Sequence, residues 1–197
     1  MALSQYLSYR RTEAVKAFAH GLGFAYREYP RQHINSAIWQ SDLCSRGRDR
    51  TLKNLVQGEI NATSFSVADY SYVTGHGKGK RTHCQTIALV ECHQRYLPRF
   101  RLMPENLFHK IGGVFGRQDI DFDTHPDFSN QYLLQGYDEA EIRGCFNPSV
   151  LEFFQSHQRF CVESMGSVLL YYNHNYSLSP KEWRKIINSA CRVYSQF

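Results

Sequence analysis

Three β-rich runs follow one another between residues 52 and 93 with only short turns between them, and that arrangement restricts the fold more than anything else in the chain. The runs are Asn54–Ile60, Ser64–Val73 and Thr82–Cys92, separated by Asn61-Ala62 and by the glycine-spaced TGHGKGKR of 74–81. In the middle run Phe65, Val67 and Tyr70 stand among polar neighbours, with a slip in the pattern near Asp69. A period of two marks a strand with two unlike faces. A parallel crossover needs a dozen or more residues, so connections this short predict an antiparallel meander.

Helices flank this meander. Leu3, Leu7, Ala14, Phe18 and Leu22 recur at helical spacing and predict a helix over residues 3–22, stopped by Gly21 and Gly23. At the other end Ser179 reads as an N-cap, Pro180 as the first helical residue, and Glu182 completes the S-x-x-E capping box. Leu178 and Trp183 are spaced as a hydrophobic staple, and Trp183, Ile186, Ile187, Ala190 and Val193 form one apolar face.

The remaining elements are shorter. Phe24–Tyr29 reads as a strand broken by Pro30, RGRDR at 46–50 as a turn, and Phe100–Leu102 as a strand. Pro104 opens a helix carrying Leu107, Phe108 and Ile111, which stops at Gly112-Gly113. Tyr132–Leu134 is a strand. Asp138 with Glu141 starts a helix, and Asn147-Pro148 ends it and starts another through Val150, Leu151, Phe153 and Phe154. Phe160–Glu163 and Ser167–Tyr172 form a hairpin across Met165-Gly166. Helix first, strands in runs and helix last is an α+β order. The expectation is one α+β domain over 1–197, an antiparallel meander sheet with flanking N- and C-terminal helices.

At 197 residues and 42% hydrophobic the chain can bury one good core, and 14% aromatic content excludes a disordered tail. No apolar run approaches the ~18 residues that cross a bilayer, and the start lacks a continuous signal-peptide core. The expected location is the cytoplasm. Six cysteines at 44, 84, 92, 145, 161 and 191 show no C-x-x-C spacing, and most lie in apolar segments. They read as buried free thiols in a reducing compartment, where the sequons at Asn61 and Asn175 carry no glycan. Residues 1–118 hold 17 Lys and Arg against 8 Asp and Glu, while residues 119–197 hold 6 against 10. Such asymmetry marks either a polyanion-binding half or two halves that attract each other.

The stretch 119–141 looks most like a site, with four Asp in its first nine residues. Asp119, Asp121 and Asp123 resemble a D-x-D-x-D calcium loop, but Thr124 and Asn130 stand where that loop needs Gly and Glu. The same alternation suits an extended segment with Asp on one side and Ile120 and Phe122 on the other, with Asp127 as a turn residue after Pro126. The loop at 75–81 is no phosphate-binding loop, because Arg81 replaces the required Ser or Thr and no helix follows. His83, Cys84, Cys92 and His93 bracket one strand whose ends lie ~30 Å apart, too far for one metal ion. His174, between Asn173 and Asn175, has no second ligand near it in sequence. No catalytic residues and no cofactor are assigned.

LPRFRLMPE, QDIDFDTHPDFSNQYLLQG and DEAEIRGCF within Leu97–Phe146 together resemble a family of uncharacterised bacterial proteins. The pattern is LP-x-F-x-L-x-PE, then DIDF, a proline-aromatic-serine turn, Y-x-L-x-G, acids and a helix ending in Phe. The resemblance extends to the terminal hairpin and helix, and to Asn54, Gly58 and Asp69-Tyr70. It implies no assigned activity and no catalytic residues. Some relatives look membrane-anchored, and this sequence departs from them in having no hydrophobic span.

The leading functional expectation is therefore a non-enzymatic protein-binding or assembly module. Its first rival is a polyanion binder using Arg46, Arg48, Arg50, Lys78, Lys80 and Arg81 on nucleic acid or an anionic lipid surface. The second is a metal-dependent hydrolase built on the Asp119–Asp127 cluster.

Overall fold

A computed structural model describes residues 3–30, 32–93, 95–107, 119–157 and 160–197. Helix α1 (Leu3–Gly21) leads into β1 (Ala25–Arg27). A 3-10 turn (Ser36–Gln40) and the one-turn helix α2 (Asp42–Ser45) precede the long strands β2 (Arg48–Ile60), β3 (Thr63–Thr74) and β4 (Arg81–Glu91). Then come β5 (Phe100–Pro104), α3 (Pro126–Gln131), β6 (Tyr132–Gly136), α4 (Glu139–Cys145) and α5 (Pro148–Ser156). β7 (Cys161–Ser164), β8 (Val168–Tyr172) and α6 (Trp183–Tyr194) complete the chain.

All eight strands lie in one sheet in the order β1-β2-β3-β4-β8-β7-β5-β6, and every pairing is antiparallel. The meander β1–β4 is as the turns demand. Asn61 and Ala62 join β2 to β3 with both residues left-handed, the twist that a two-residue hairpin favours. The two halves of the sheet meet where β4 pairs with β8, Ile87 opposite Tyr172. The described ion pairs stay within the basic or the acidic half, and the halves meet through strand pairing and through the buried Arg46 and Glu163 charges.

Both faces of the sheet are covered. Helices lie on one, where Phe128, Phe146, Phe154 and Trp183 are buried with Val67, Val90 and Leu169. Fully burying one such side chain is worth about 1.5–3 kcal/mol. Phe100, Phe128, Tyr132 and Leu134 share this core, with Phe122 packed at its margin. The other face is covered by a strap running from Ile34 to Cys44, packed on Tyr70, Tyr72, Leu170 and Tyr172. Because β3 is buried on both faces, the apparent slip near Asp69 is a change of apolar face: Phe65 and Val67 meet the helices, Ala68 and Tyr70 the strap. The true irregularities are on β2, which carries one residue more than β3 between Arg48 and Thr51 and again between Lys53 and Val56. Asn54 sits in the second bulge with φ 56°.

Local signals hold at the helix starts. Asp138 accepts from the Glu141 N–H and Asn147 from the Val150 N–H, while Ser179 N–H and Oγ both donate to Glu182. Five expectations need correction. The buried face of α1 is Thr12, Val15 and Ala19, and Leu3 and Leu7 are 74% and 58% exposed. Arg48 and Arg50 belong to β2 rather than to a turn, because Arg48 pairs with Val73 across the strand. Pro104 ends β5 opposite Tyr132 instead of opening a helix; residues 105–107 turn helical after it, and Phe108, Ile111, Gly112 and Gly113 lie outside the described residues. Asp127 lies in the first turn of α3. Cys84 is exposed, whereas Cys44, Cys92 and Cys161 are buried and all six thiols are free. No described helix is long and apolar enough to cross a membrane.

Candidate functional site

The strap carries its polar groups inward. β7 places Glu163 beneath the start of α2, fully buried, where it accepts from the Asp42 N–H at 2.5 Å, the Leu43 N–H at 3.1 Å and the Tyr172 hydroxyl at 2.8 Å. Burial raises the Glu163 pKa and neighbouring Asp42 adds to this, while Arg46 and the donors oppose it. Asp42 in turn pairs with Arg101 at 3.1 Å, and Arg101 donates to Gln135.

Arg46 follows α2. Its guanidinium turns in behind the strap, and neither Nη1 nor Nη2 completes a hydrogen bond of good geometry. Burial works against its charge, but Tyr172 and Glu163 behind it hold its pKa up, and the Tyr72 hydroxyl stands beside it. Gly47, at φ 56°, lets the chain press onto β3; a Cβ there would strike the Val73 carbonyl. Arg50 clamps the same turn by donating to the Ser45, Arg46 and Gly47 carbonyls.

Around Arg46 the sheet end forms a cavity of about 340 Å³ lined also by Tyr72, Thr74, Arg81, His83 and His174. Tyr72 and His83 face each other across β3 and β4 with rings stacked at 4.8 Å. Thr74 Oγ1 and His83 Nε2 are 2.8 Å apart. The turn after β8 is pinned to β4, since Asn175 accepts from the Cys84 N–H and donates its own N–H to Gln85. That brings His174 to 6.0 Å from His83, ring to ring. Nδ1 of each histidine is buried without a hydrogen-bond partner. Burial lowers the pKa of both, with Arg46 contributing, and that of His174 reaches about 4. Both rings are neutral near pH 7.

A second cavity, about 400 Å³, lies on the helix side between α1 and β2–β4, lined by Arg11, Lys53, Asn54, Asp69, Ser71 and Cys84 among others. Arg11, Asn54 and Asp69 in its lining are spent on one another. Arg11 grips Asp69 through Nε at 2.8 Å and Nη2 at 2.5 Å, and Asn54 donates to Asp69 while accepting from Thr12 and Tyr26. This network fixes α1 to the second bulge in β2.

The six basic residues divide. Arg48 donates to the Gly75 carbonyl at 2.7 Å, which brings 46–50 beside the β3–β4 hairpin. Lys78, Lys80 and Arg81 stand exposed at that hairpin's tip, while Arg46 points inward and Arg50 is engaged with its own loop. Asp119 bridges to Gln135 and accepts from the Leu134 N–H, and burial together with nearby Asp121 lifts its pKa to about 6. Asp121, Asp123 and Asp127 are exposed around buried Ile120. Among the described residues no three His, Cys, Asp or Glu side chains gather to hold a metal ion. The grouping of Arg46, His83 and His174 escapes sequence reasoning because the three lie on separate elements; the only local hint is an Arg-Gly pair directly after a short helix.

No family model matches the sequence, and no curated protein matches it either. Among solved structures the chain is similar to the crystal structure of the mycobacterial trehalose monomycolate transport factor A, TtfA, with 13% identity and a TM-score of 0.62. The likeness covers 94% of this chain and 91% of that one, and at this identity it is a likeness of fold.

Proposed function

We propose that this chain is a non-enzymatic binding or assembly module that takes a protein partner. The observation that carries this reading is the outward face of α1. Leu3, Tyr6 and Leu7 share one side of the helix, with Tyr9 close by, and all four are exposed. Grouped apolar side chains left in water mark an interaction surface rather than a core. Arg10 donates to the Tyr6 hydroxyl and gives that patch a polar rim. The likeness of fold to a protein named a transport factor is in keeping with a binding role.

Cross-linking in the source cells followed by capture tests the reading. A Leu3→Glu/Leu7→Glu variant should keep the parent's melting temperature and lose its specific cross-linked partner. An unchanged partner profile in the variant would remove α1 from the interface and sink the proposal. The polyanion reading retains only the hairpin tip, Lys78, Lys80 and Arg81, as exposed cations free of the loop contacts that hold Arg48 and Arg50.

A further inference from the structure

We infer that the cavity at the strap end of the sheet is a binding site for the phosphate group of a small organic phosphate, with Arg46 in its floor and Arg81 at its mouth. This goes beyond the protein-partner reading and stands whether or not α1 holds a partner.

The first ground is an imbalance between charge and hydrogen bonding around Arg46. Glu163 lies close enough to support the arginine's charge, yet its oxygens are already filled by two backbone N–H groups and the Tyr172 hydroxyl. Arg46 has the Tyr72 hydroxyl beside it, and neither buried Nη group completes a hydrogen bond of good geometry. A buried charge so incompletely bonded is costly, and a negative charge brought into the adjoining cavity would offset that cost. The second ground is convergence. His83 and His174, from β4 and from the turn after β8, line the same cavity, and each keeps a buried Nδ1 without a hydrogen-bond partner. A Thr74 hydroxyl donating to His83 Nε2 would leave His83 with its proton on Nδ1, as a donor. Neutral imidazoles and two guanidiniums make a lining that bears donors and no carboxylate.

The ligand class follows from that lining. A phosphate monoester offers three oxygens and close to two negative charges, which match two arginines and several neutral donors better than a two-oxygen carboxylate does. At about 340 Å³ the space exceeds a bare phosphate and falls at the lower end of small-molecule sites. The Tyr72 ring, stacked on His83, supplies a flat wall for the organic part. The Nη groups lie under the floor rather than in the open space, so Arg46 acts on the guest through a low-dielectric wall, where its charge is felt strongly.

Calorimetric titration of the full chain with inorganic phosphate, glycerol 3-phosphate, and phosphatidylcholine vesicles with and without phosphatidic acid tests the site. Glycerol 3-phosphate should bind and shift the His83 and His174 ring resonances. Arg46→Met and Arg81→Ser should each weaken binding at least about tenfold, the first by removing the buried positive charge under the floor and the second by the loss of one charge-assisted contact. Lys78→Ser/Lys80→Ser, on the same hairpin but outside the cavity, should change it less than about twofold. Binding only to vesicles that contain phosphatidic acid, with the same variant pattern, would place the phosphate on a lipid and still support the site. If Arg46→Met does not fold, Arg81→Ser and His174→Phe decide. No binding by any probe at millimolar concentration would overturn the inference. So would binding indifferent to Arg81→Ser and His174→Phe, or equally weakened by the Lys78 and Lys80 pair.

Discussion

On the helix-bearing face of the sheet, Phe128, Phe146, Phe154 and Trp183 lie among other apolar side chains, and the unpaired buried polar atom described there is the Trp183 indole N–H. Across the same strands the strap face holds Glu163, Asp42 and Arg101, and it leaves Arg46, His83, Gln85 and His174 with buried atoms unbonded. Both faces exclude water, but they do so for different ends. Around α3, α5 and α6 the helix face follows close packing, which tolerates many apolar sequences, and its polar network is confined to the Arg11–Asp69–Asn54 contact under α1. The strap face carries desolvated polar groups that packing would not choose and that cost stability unless completed. A molecule that keeps one dry face and one polar face has its scaffold on the first and its recognition chemistry on the second.

The largest test of that division is on the helix face. Phe154→Ala removes a ring packed against Phe146, Phe128 and Tyr132 and should cost about 3–5 kcal/mol in denaturant unfolding. Cavity binding of phosphate in the surviving folded protein should not change. A smaller loss is expected on the strap face. Glu163→Gln removes the charge that supports Arg46 and weakens the hold on the Asp42 and Leu43 N–H groups, for about 1.5–3 kcal/mol. Unlike the Phe154 loss, part of it should return in a Glu163→Gln/Arg46→Met double variant, which removes the charge left unsupported and keeps an amide oxygen for the Asp42 and Leu43 N–H groups. Failure of that rescue would mean the polar face is structural after all.

The third test uses pH. The folded His174 titrates near 4 against an ordinary value of 6.5, so the unfolded chain takes up the proton first. Its stabilising contribution is complete above the ordinary value and is lost as pH falls from there toward 4. Because the ring keeps some contact with water, the loss should be about 1 kcal/mol. Between pH ~7 and ~4.5 the parent should lose that much more stability than a His174→Gln variant; equal losses would place the ring in water. The smallest effect on stability is expected at the exposed tip of the β3–β4 hairpin. Lys78→Ser/Lys80→Ser/Arg81→Ser should leave stability within about 0.5 kcal/mol. If the parent binds DNA through this tip, its log-log salt slope should shrink by ~0.9 per lost phosphate contact.

The terminal helix, the helices opened by Asp138 and Asn147, and the meander were legible because each is written in neighbouring residues. Capping side chains reach only three positions, and a two-residue turn needs only Asn61-Ala62. What escaped is decided at a distance. RGRDR looks like a turn by composition, yet Arg48 is held extended by Val73 and Gly75. The stripe of Leu3 and Leu7 looks like a core face, but the Arg11–Asp69–Asn54 network sets the roll of α1 and turns that stripe outward. The cavity was hidden most thoroughly, since its residues meet only after β4 has paired with β8.

That pairing also sets an order of events during synthesis. β4 carries Ile87, Ala88, Leu89 and Val90 along one edge of the early meander, and its partner residues 168–172 have not yet been made when those strands leave the ribosome. At ~5–20 residues per second the gap lasts about 4–16 s. For that interval an apolar strand edge is open to any extended chain nearby, which is the geometry that aggregation and chaperone capture exploit. The nascent chain is therefore most vulnerable in mid-translation, and its last hairpin closes the edge.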